Sequence, residues 1–412
     1  MMRPGSTRVT RRGAVAPLAA LLMIAMLAMV AFAVDIGYIV LARSEAQNAA
    51  DSAAMAGLGK LSDRLRGAKL VNGKPLQTQD DLDAARAEAK SFALKNTVGG
   101  QGADVKDAEV EFGYLSDPYN QSSSLDTSGW PDRPYNAVRV TVYRDKDHSG
   151  GSLGLFFGKV LGFTSADLSA TATACVALGT PQVKGNSASG RGALLPFTYP
   201  VDVWHALLQV NQAGSLTIGT ETVTISDNYR VDLSKTGTAS VSSGSDNMME
   251  LRLYPNVVTS GNFGTINFTT SKSSNSTSTL RDLIQNGPAA ADWPDLADIV
   301  KATPSNPVSV NGDPGISAGM ESAVQSIIGQ PRVLPLYRSV SGNGNNTFYD
   351  IVEFVPVTIG SVELSGGNKH IIVQPRIANV QELIDGTNRL DFSITPSSDP
   401  NLMFLGHRSL VR

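Results

Sequence analysis

The stretch that decides the fold is Gly13–Val34, GAVAPLAALLMIAMLAMVAFAV, which contains no charged residue. At 1.5 Å per residue, a helix of this length spans roughly 30 Å, the thickness of the hydrocarbon core of a bilayer. Asp35 follows the stretch directly, and the segment before it contains no acid and four arginines, Arg3, Arg8, Arg11 and Arg12. This charge asymmetry predicts a helix that crosses the membrane once, with the N-terminus in the cytoplasm and the rest of the chain outside.

A cleaved signal peptide is the alternative interpretation of the same stretch. Ala31-Phe32-Ala33 fits an A-x-A cleavage site, and a basic N-terminal segment is common to leaders and anchors. The apolar run is longer than the roughly 7–15 residues of a usual leader core, which favours a retained anchor. Both interpretations place the bulk of the chain outside the cytoplasm.

The helical pattern continues beyond the apolar stretch. Between Ile36 and Leu58, apolar or small residues recur with a helical period, so one helix is predicted from Ala14 to Lys60. The exported half of this helix is rich in alanine, and small side chains allow another element to approach closely. The predicted helix-packing face consists of Ala46, Ala50, Ala53 and Gly57. Either a partner helix or the chain's own exported domain could cover it.

Short segments around the apolar stretch form a recognisable signature. They are Arg11-Arg12-Gly13, Val34-Asp35-Ile36-Gly37-Tyr38, and Gln47-Asn48-Ala49-Ala50-Asp51-Ser52-Ala53-Ala54 followed by Gly57. These segments resemble the TadE/TadG-like (Tad-domain) proteins of the tight-adherence (Flp) pilus assembly system. The residues that carry the resemblance are Asp35, Gly37, Gln47, Asn48 and Asp51.

Weaker similarity extends further along the chain. It involves Asn136-Ala137-Val138-Arg139-Val140, Leu155-Phe156-Phe157-Gly158, Gly261-Asn262-Phe263-Gly264 and Gly342-Asn343-Gly344-Asn345-Asn346. These segments are similar to the large exported TadG-like proteins of planctomycetes.

The resemblance implies a non-enzymatic inner-membrane component that helps to build or stabilise a thin pilus. Its implied partners are the lipid bilayer and other pilus-assembly or pilin-like membrane proteins, and it implies no cofactor. Pilins that are cut by a prepilin peptidase have a glutamate five residues after the glycine that precedes the cut. Here the fifth residue after Gly13 is Leu18, which favours a TadG-like assembly component over a processed pilin subunit.

Composition and turn signals predict an α+β chain with a larger β-rich part. Only 17% of the residues are charged, while 39 glycines and 21 prolines punctuate the sequence, which suits short strands joined by many turns. The predicted organisation is a cytoplasmic tail (1–12), a transmembrane helix (13–35), an exported alanine-rich helix (36–60), a small α+β domain (61–180), a linker (181–193) and a sandwich or barrel-like domain (194–412).

The sequence predicts no catalytic residue. Gly150-Gly151-Ser152-Leu153-Gly154 matches the G-x-S-x-G pattern of a nucleophile elbow, which requires a buried strand running directly into the turn. The polar segment Arg144–His148 intervenes instead, so a glycine-rich turn is the better interpretation.

No metal site is predicted either. Asp145-x-Asp147-x-Ser149 resembles the start of a calcium loop, but the twelfth position is Phe156 rather than a bidentate glutamate. Asp232–Thr236 echoes the metal site of von Willebrand type A domains without the apolar strand that precedes it there. The single cysteine, Cys175, and four dispersed histidines argue against structural zinc.

The charge distribution limits the class of partner. The chain has a net charge of −3 and no basic patch beyond its first twelve residues, which argues against nucleic acid. An alternative function remains open, in which the helix is only a tether. The chain would then be an extracytoplasmic binding or adhesion module whose β-rich domain recognises a glycan or a surface protein.

Overall fold

The structure is a computed structural model that describes most of the chain. The described residues are 15–68, 70–71, 74–116, 123–184, 193–205, 208, 215–218, 221–224, 229–233, 239–243, 250–254, 264–268, 276–288, 302–379, 391–396 and 404–411. The topology-setting arginines Arg3, Arg8, Arg11 and Arg12 lie outside this set.

Four helices are labelled in chain order: α1 (Val15–Arg66), α2 (Gln79–Leu94), α3 (Thr277–Asn286) and α4 (Glu321–Gln325). Single turns of 3₁₀ helix occur at Asp107–Glu109, Gly158–Leu161, Ala318–Met320 and Gly344–Asn346. The shorter strands are β1 (Leu70–Val71), β2 (Lys74–Pro75), β3 (Thr97–Val98), β4 (Gln101–Gly102), β7 (Leu153–Gly154), β8 (Ser165–Ala166), β11 (Ser215–Ile218), β12 (Glu221–Thr224) and β21 (Ala378–Asn379).

The remaining strands build two large sheets. They are β5 (Val110–Gly113), β6 (Ala137–Arg144), β9 (Leu168–Lys184), β10 (Phe197–Pro200), β13 (Tyr229–Leu233), β14 (Ala239–Ser243), β15 (Glu250–Tyr254), β16 (Gly264–Ile266), β17 (Val308–Pro314), β18 (Pro331–Ser341), β19 (Thr347–Glu363), β20 (His370–Pro375), β22 (Asp391–Pro396) and β23 (Phe404–Val411).

Helix α1 is longer than the sequence pattern predicts. Leu58, Leu61 and Leu65 continue the apolar spacing and are buried, so the helix runs to Arg66 and not only to Lys60. The first six residues of the segment predicted as the small α+β domain (61–180) are therefore part of α1. Two arginines in the last turn, at 64 and 66, interact favourably with the negative end of the helix dipole.

The sequence predicts an amphipathic helix from Asp80 to Lys95, and α2 begins and ends one residue earlier. Its buried stripe is Leu82, Ala85, Ala89 and Ala93, spaced as one face of a helix requires. At the start of this helix, the Asp81 carboxylate accepts hydrogen bonds from both the backbone N–H and the hydroxyl of Thr78, at 2.9 and 2.8 Å.

One sheet has the strand order β21-β23-β9-β6-β5, and β22 also pairs with β9. The alternation predicted for Asn136–Tyr143 is present in β6, where Ala137, Val138, Val140 and Val142 are fully buried. The sequence predicts a strand from Ala166 to Leu178, but β9 runs to Lys184, into the predicted linker (181–193). The last six residues of β9 pair with β22.

The larger sheet has nine strands in the order β14-β13-β15-β20-β19-β17-β16-β10-β18. Because β18 also pairs with β19, five of these strands close into a small barrel. Tyr349 on β19 is fully buried, and a Cβ added at Gly264 or Gly312 would collide with its ring. These two glycines therefore make room for the aromatic ring in the barrel.

The fold class predicted from the sequence is confirmed: a long N-terminal apolar helix, a small helix and then a larger β-rich region. The chain divides into two compact units. One contains Met1–Ala56, Arg86–Glu111 and Arg139–Thr173, and the other contains Gly57–Ala85, Phe112–Val138 and Ala174–Arg412. The domain bounds proposed from the sequence stay predictions.

Candidate functional site at the exported end of the membrane helix

Asp35, the first charged residue after the apolar stretch, is buried although it lies at the edge of the predicted membrane span. Its carboxylate accepts hydrogen bonds from three consecutive backbone N–H groups, those of Phe156 (2.8 Å), Phe157 (3.1 Å) and Gly158 (2.6 Å). Bonds of this kind, from backbone donors to an ionised acceptor, are stronger than neutral ones. Asp35 therefore fastens the loop 155–164 to helix α1.

Two further side chains of α1 hold a second loop, the β3–β4 turn. The Gly99 N–H donates to the Glu45 carboxylate at 2.8 Å, and the Tyr38 hydroxyl lies 3.5 Å from the Gly99 carbonyl oxygen. Gly99 has φ +56°, and a Cβ at this position would collide with Leu153. Glycine is thus required both by the backbone and by the space, and both of its polar backbone groups face the helix.

Gln47 connects the helix to the sheet. Its side-chain amide donates to the Asp51 carboxylate at 2.8 Å and to the Thr171 carbonyl oxygen on β9 at 3.3 Å. Asn48 is exposed, and a Cβ at Gly37 would meet nothing within 4 Å. Three of the five signature residues (Asp35, Gln47 and Asp51) therefore join this site, and two (Gly37 and Asn48) face outward.

The predicted helix-packing face is covered within the chain. Ala46, Ala50 and Ala53 have no exposed surface, and Gly57 is also buried. This burial agrees with the alternative in which the chain's own exported residues cover the face. Its use in assembly with a partner helix stays a prediction.

The G-x-S-x-G segment has a structural explanation. The buried Arg144 guanidinium donates to the carbonyl oxygens of Val98 (3.0 Å) and Gly151 (2.7 Å). A Cβ at Gly150 would collide with that guanidinium, and Gly151 has φ +63°. Gly150 and Gly151 are therefore needed to wrap the turn around Arg144, and Ser152 follows this turn instead of a buried strand.

His148 organises the polar turn that resembles a calcium loop. Its Nδ1 lies 2.6 Å from a carboxylate oxygen of Asp145, and its Nε2 lies 2.7 Å from one of Glu109. Since a neutral imidazole has only one N–H, two carboxylate acceptors favour the doubly protonated ring. Burial lowers the pKa of His148, but the hydrogen bonds and charges of the two carboxylates outweigh it and raise the pKa overall. No group of His, Cys, Asp and Glu among the described residues is arranged to hold a metal ion.

The apolar part of α1 is long and hydrophobic enough to cross a membrane. Its most apolar window has a mean hydropathy of 2.5 and no buried residues. Among the described residues it is the one helix with this property.

Two family models match the N-terminal part of the chain. Residues 13–63 match the TadE/G-like Flp pilus-assembly model, and residues 73–174 match a second Tad-like Flp pilus-assembly model. The two matched segments together cover 153 of the 412 residues, all within the first 174. Neither the curated proteins nor the solved structures gave a significant match to the chain.

The two Tad matches contain every contact described at the exported end of α1. Asp35, Glu45 and Gln47 lie within the first match, and their partners Gly99, Phe156–Gly158 and Thr171 lie within the second. Together with the apolar helix, the Tad matches fit a membrane-anchored, single-pass component of pilus assembly.

Sequence reasoning missed the roles of Glu45 and Gly99. The sequence contains one local signal for the contact with Gly99: Glu45 is a charged residue next to the alanine-rich face. The sequence spacing gives no indication that its acceptor group would bind a turn 54 residues away.

Proposed function

We propose that the chain is a non-enzymatic component of Flp pilus assembly, retained in the cytoplasmic membrane by α1 with its bulk outside. The observation that carries this proposal is the set of contacts made by signature residues. Asp35 and Gln47 link α1 to the second Tad-matched region, and Asp51 accepts a hydrogen bond from the Gln47 side chain within α1.

The orientation is supported by charge. Four arginines precede the apolar stretch and Asp35 ends it, which is the arrangement expected for a cytoplasmic N-terminus. The proposed partners are other pilus-assembly or pilin-like membrane proteins. Recognition of a glycan or surface protein by the β-rich region stays a prediction.

A deletion and complementation series tests the function. We expect deletion of the gene in its host to reduce Flp pili severalfold, as counted by electron microscopy, and the full chain to restore them. A version in which residues 1–34 are replaced by a cleavable signal peptide keeps Asp35 and the exported region but has no anchor. This version should accumulate outside the cytoplasm without restoring pili.

Two results would overturn parts of the proposal. Normal piliation in the deletion strain would exclude a role in pilus assembly, and restoration by the anchorless version would exclude a need for anchoring. Ser152→Ala serves as the control for catalysis, because a non-enzymatic component should restore pili fully with this substitution.

A further inference from the structure

An apolar hairpin tip projects from the unit that contains Asp35. The tip comprises residues 155–164 and connects β7 to β8, which pair antiparallel. Four of its large apolar side chains are exposed: 62% for Phe156, 46% for Phe157, 86% for Val160 and 66% for Phe163. Soluble proteins seldom expose such a contiguous apolar patch unless it meets another molecule or a membrane.

The tip is ordered by its own backbone. Leu155 N–H donates to the Thr164 carbonyl at 3.1 Å, and Phe163 N–H donates to the Gly158 carbonyl at 2.9 Å. Gly162 ends the 3₁₀ turn with φ +89°. Leu153 and Leu155 are buried at the base, so among the side chains whose burial is described, two large apolar ones are hidden and four are presented.

The position of the tip along the membrane helix follows from Asp35. Val15–Val34 is twenty residues of helix, which spans about 30 Å and therefore fills the hydrocarbon core. Asp35 comes next and binds the backbone of the tip at Phe156, Phe157 and Gly158. The Phe156 ring also packs on Tyr38 at a centroid distance of 5.1 Å.

We propose that this tip inserts into the boundary between lipid headgroups and acyl chains, beside the point where α1 leaves the bilayer. Asp35, which binds the tip, is flanked in α1 by two further exposed apolar residues, Val34 and Ile36, each 44% exposed. The exposed Lys159 lies among the apolar side chains of the tip and supplies a cation for lipid phosphate. The tip is then a second membrane attachment, which holds its unit in one orientation.

This inference rests on retention of α1 in the membrane, and spin labelling of the full chain in vesicles tests both. Nitroxide labels are attached to Val160→Cys in the tip, Met29→Cys in the apolar stretch and Asn48→Cys on the exposed surface of α1. Asn48 is thirteen residues past Asp35, about 20 Å along the helix axis. The native Cys175 is fully buried, and the unsubstituted chain measures its background labelling.

Collision with oxygen and with a water-soluble nickel complex reports the depth of each label. In phosphatidylcholine–phosphatidylglycerol vesicles, we expect the oxygen-to-nickel ratio at position 160 to exceed that at position 48 severalfold and to approach that at position 29. A ratio at 160 equal to that at 48, with position 29 still shielded, would overturn the inference and leave the anchor intact.

Two other outcomes are also decisive. Nickel access at position 29 would overturn both the anchor and the membrane-inserted tip. Spin–spin broadening at position 160 that disappears on dilution with lipid would show that a second copy covers the tip, and would overturn insertion into lipid.

Discussion

Asp35 is the charged residue that ends the apolar stretch, and its side chain is nevertheless buried. A buried charge is costly unless several hydrogen-bond donors surround it. Three backbone N–H groups from one loop supply those donors. The same residue therefore marks the membrane edge and attaches the exported loop to the helix.

We expect Asp35→Ala to detach residues 155–164 from α1. Loss of the charged acceptor leaves three backbone donors unsatisfied, and bonds to charged groups contribute about 1.5–3 kcal/mol each, so a total of roughly 2–4 kcal/mol of unfolding free energy is expected after partial rehydration. Thermal unfolding and limited proteolysis in detergent measure the effect. Asp63→Ala is the matched control, because Asp63 is an exposed acid on the same helix. Equal stability of the two variants would contradict the assignment.

His148 should make stability depend on pH in the neutral range. Burial lowers its pKa, but the hydrogen bonds and charges of Asp145 and Glu109 together outweigh burial. The pKa in the folded chain is therefore above the ordinary 6.5. The stabilisation is therefore complete below about pH 6.5 and is lost as pH rises through the higher folded value. The Asp145 pKa is lowered, so that group stays ionised throughout this range.

Comparison of His148→Gln with the unsubstituted chain isolates this effect. The unsubstituted chain should lose thermal stability as the pH rises above about 6.5, whereas the variant should lose less over the same range. Parallel pH profiles for the two proteins would show that the two carboxylate contacts do not hold a protonated ring.

At the scale of single residues, the sequence identifies residues that make specific contacts, but it does not predict the partners of those contacts. Asp35, Gln47 and Asp51 stand out from the sequence, but their partners lie more than 100 residues away or, for Asp51, one turn along the helix. Hydrogen-bond partners at that separation leave no periodic signal. Gly150 and Gly151 show the opposite case. The sequence matches a catalytic motif there, but the packing of Arg144 explains both glycines.

At the scale of elements, α1 joins two environments in one helix. The most apolar window of α1 has no buried residues, whereas the alanine-rich half presents fully buried positions at 42, 46, 49, 50, 53 and 54. Because protein interiors are close-packed, a side chain larger than alanine does not fit at these positions. The buried face therefore belongs first to the stability of the exported region.

Ala50→Leu tests that conclusion against assembly with a partner helix. Overpacking a buried site usually costs about 1–3 kcal/mol, so the variant should unfold at a lower temperature and be cleaved faster by protease, while remaining in the membrane. Asn48→Leu, an equally large change at an exposed position two residues away, should be nearly neutral. If Ala50→Leu keeps its stability but abolishes piliation, the face acts in assembly instead.

Helices and strands with a clear period could be predicted, as α2, β6 and β15 show. The secondary structure of the hairpin tip could not be predicted in the same way. The sequence predicts a short helix at Leu153–Leu161, but the described structure has strand β7 followed by a single 3₁₀ turn, because a loop pinned by Asp35 does not follow its local propensity. The pairing of β9 with β22 joins residues about 200 positions apart, and local alternation does not specify such a partner.

At the scale of the whole molecule, the charges before and after the apolar stretch predict how the chain sits in the membrane. The Ala31-Phe32-Ala33 site lies inside the continuous helix α1. A cleavable leader would also be helical before cleavage, so the argument for retention is the length of the apolar stretch, which exceeds the roughly 7–15 residues of a usual leader core.

We therefore expect N-terminal and C-terminal epitope tags to remain on one polypeptide in the alkaline-extracted membrane pellet. External protease added to spheroplasts should remove the C-terminal tag and spare the N-terminal one. Replacement of Arg3, Arg8, Arg11 and Arg12 by serine should weaken this orientation, because positive residues near the span set it. A soluble C-terminal fragment that begins at Val34 would contradict retention but not export, since export needs only the apolar stretch, whereas retention also needs the helix to stay intact across Ala33.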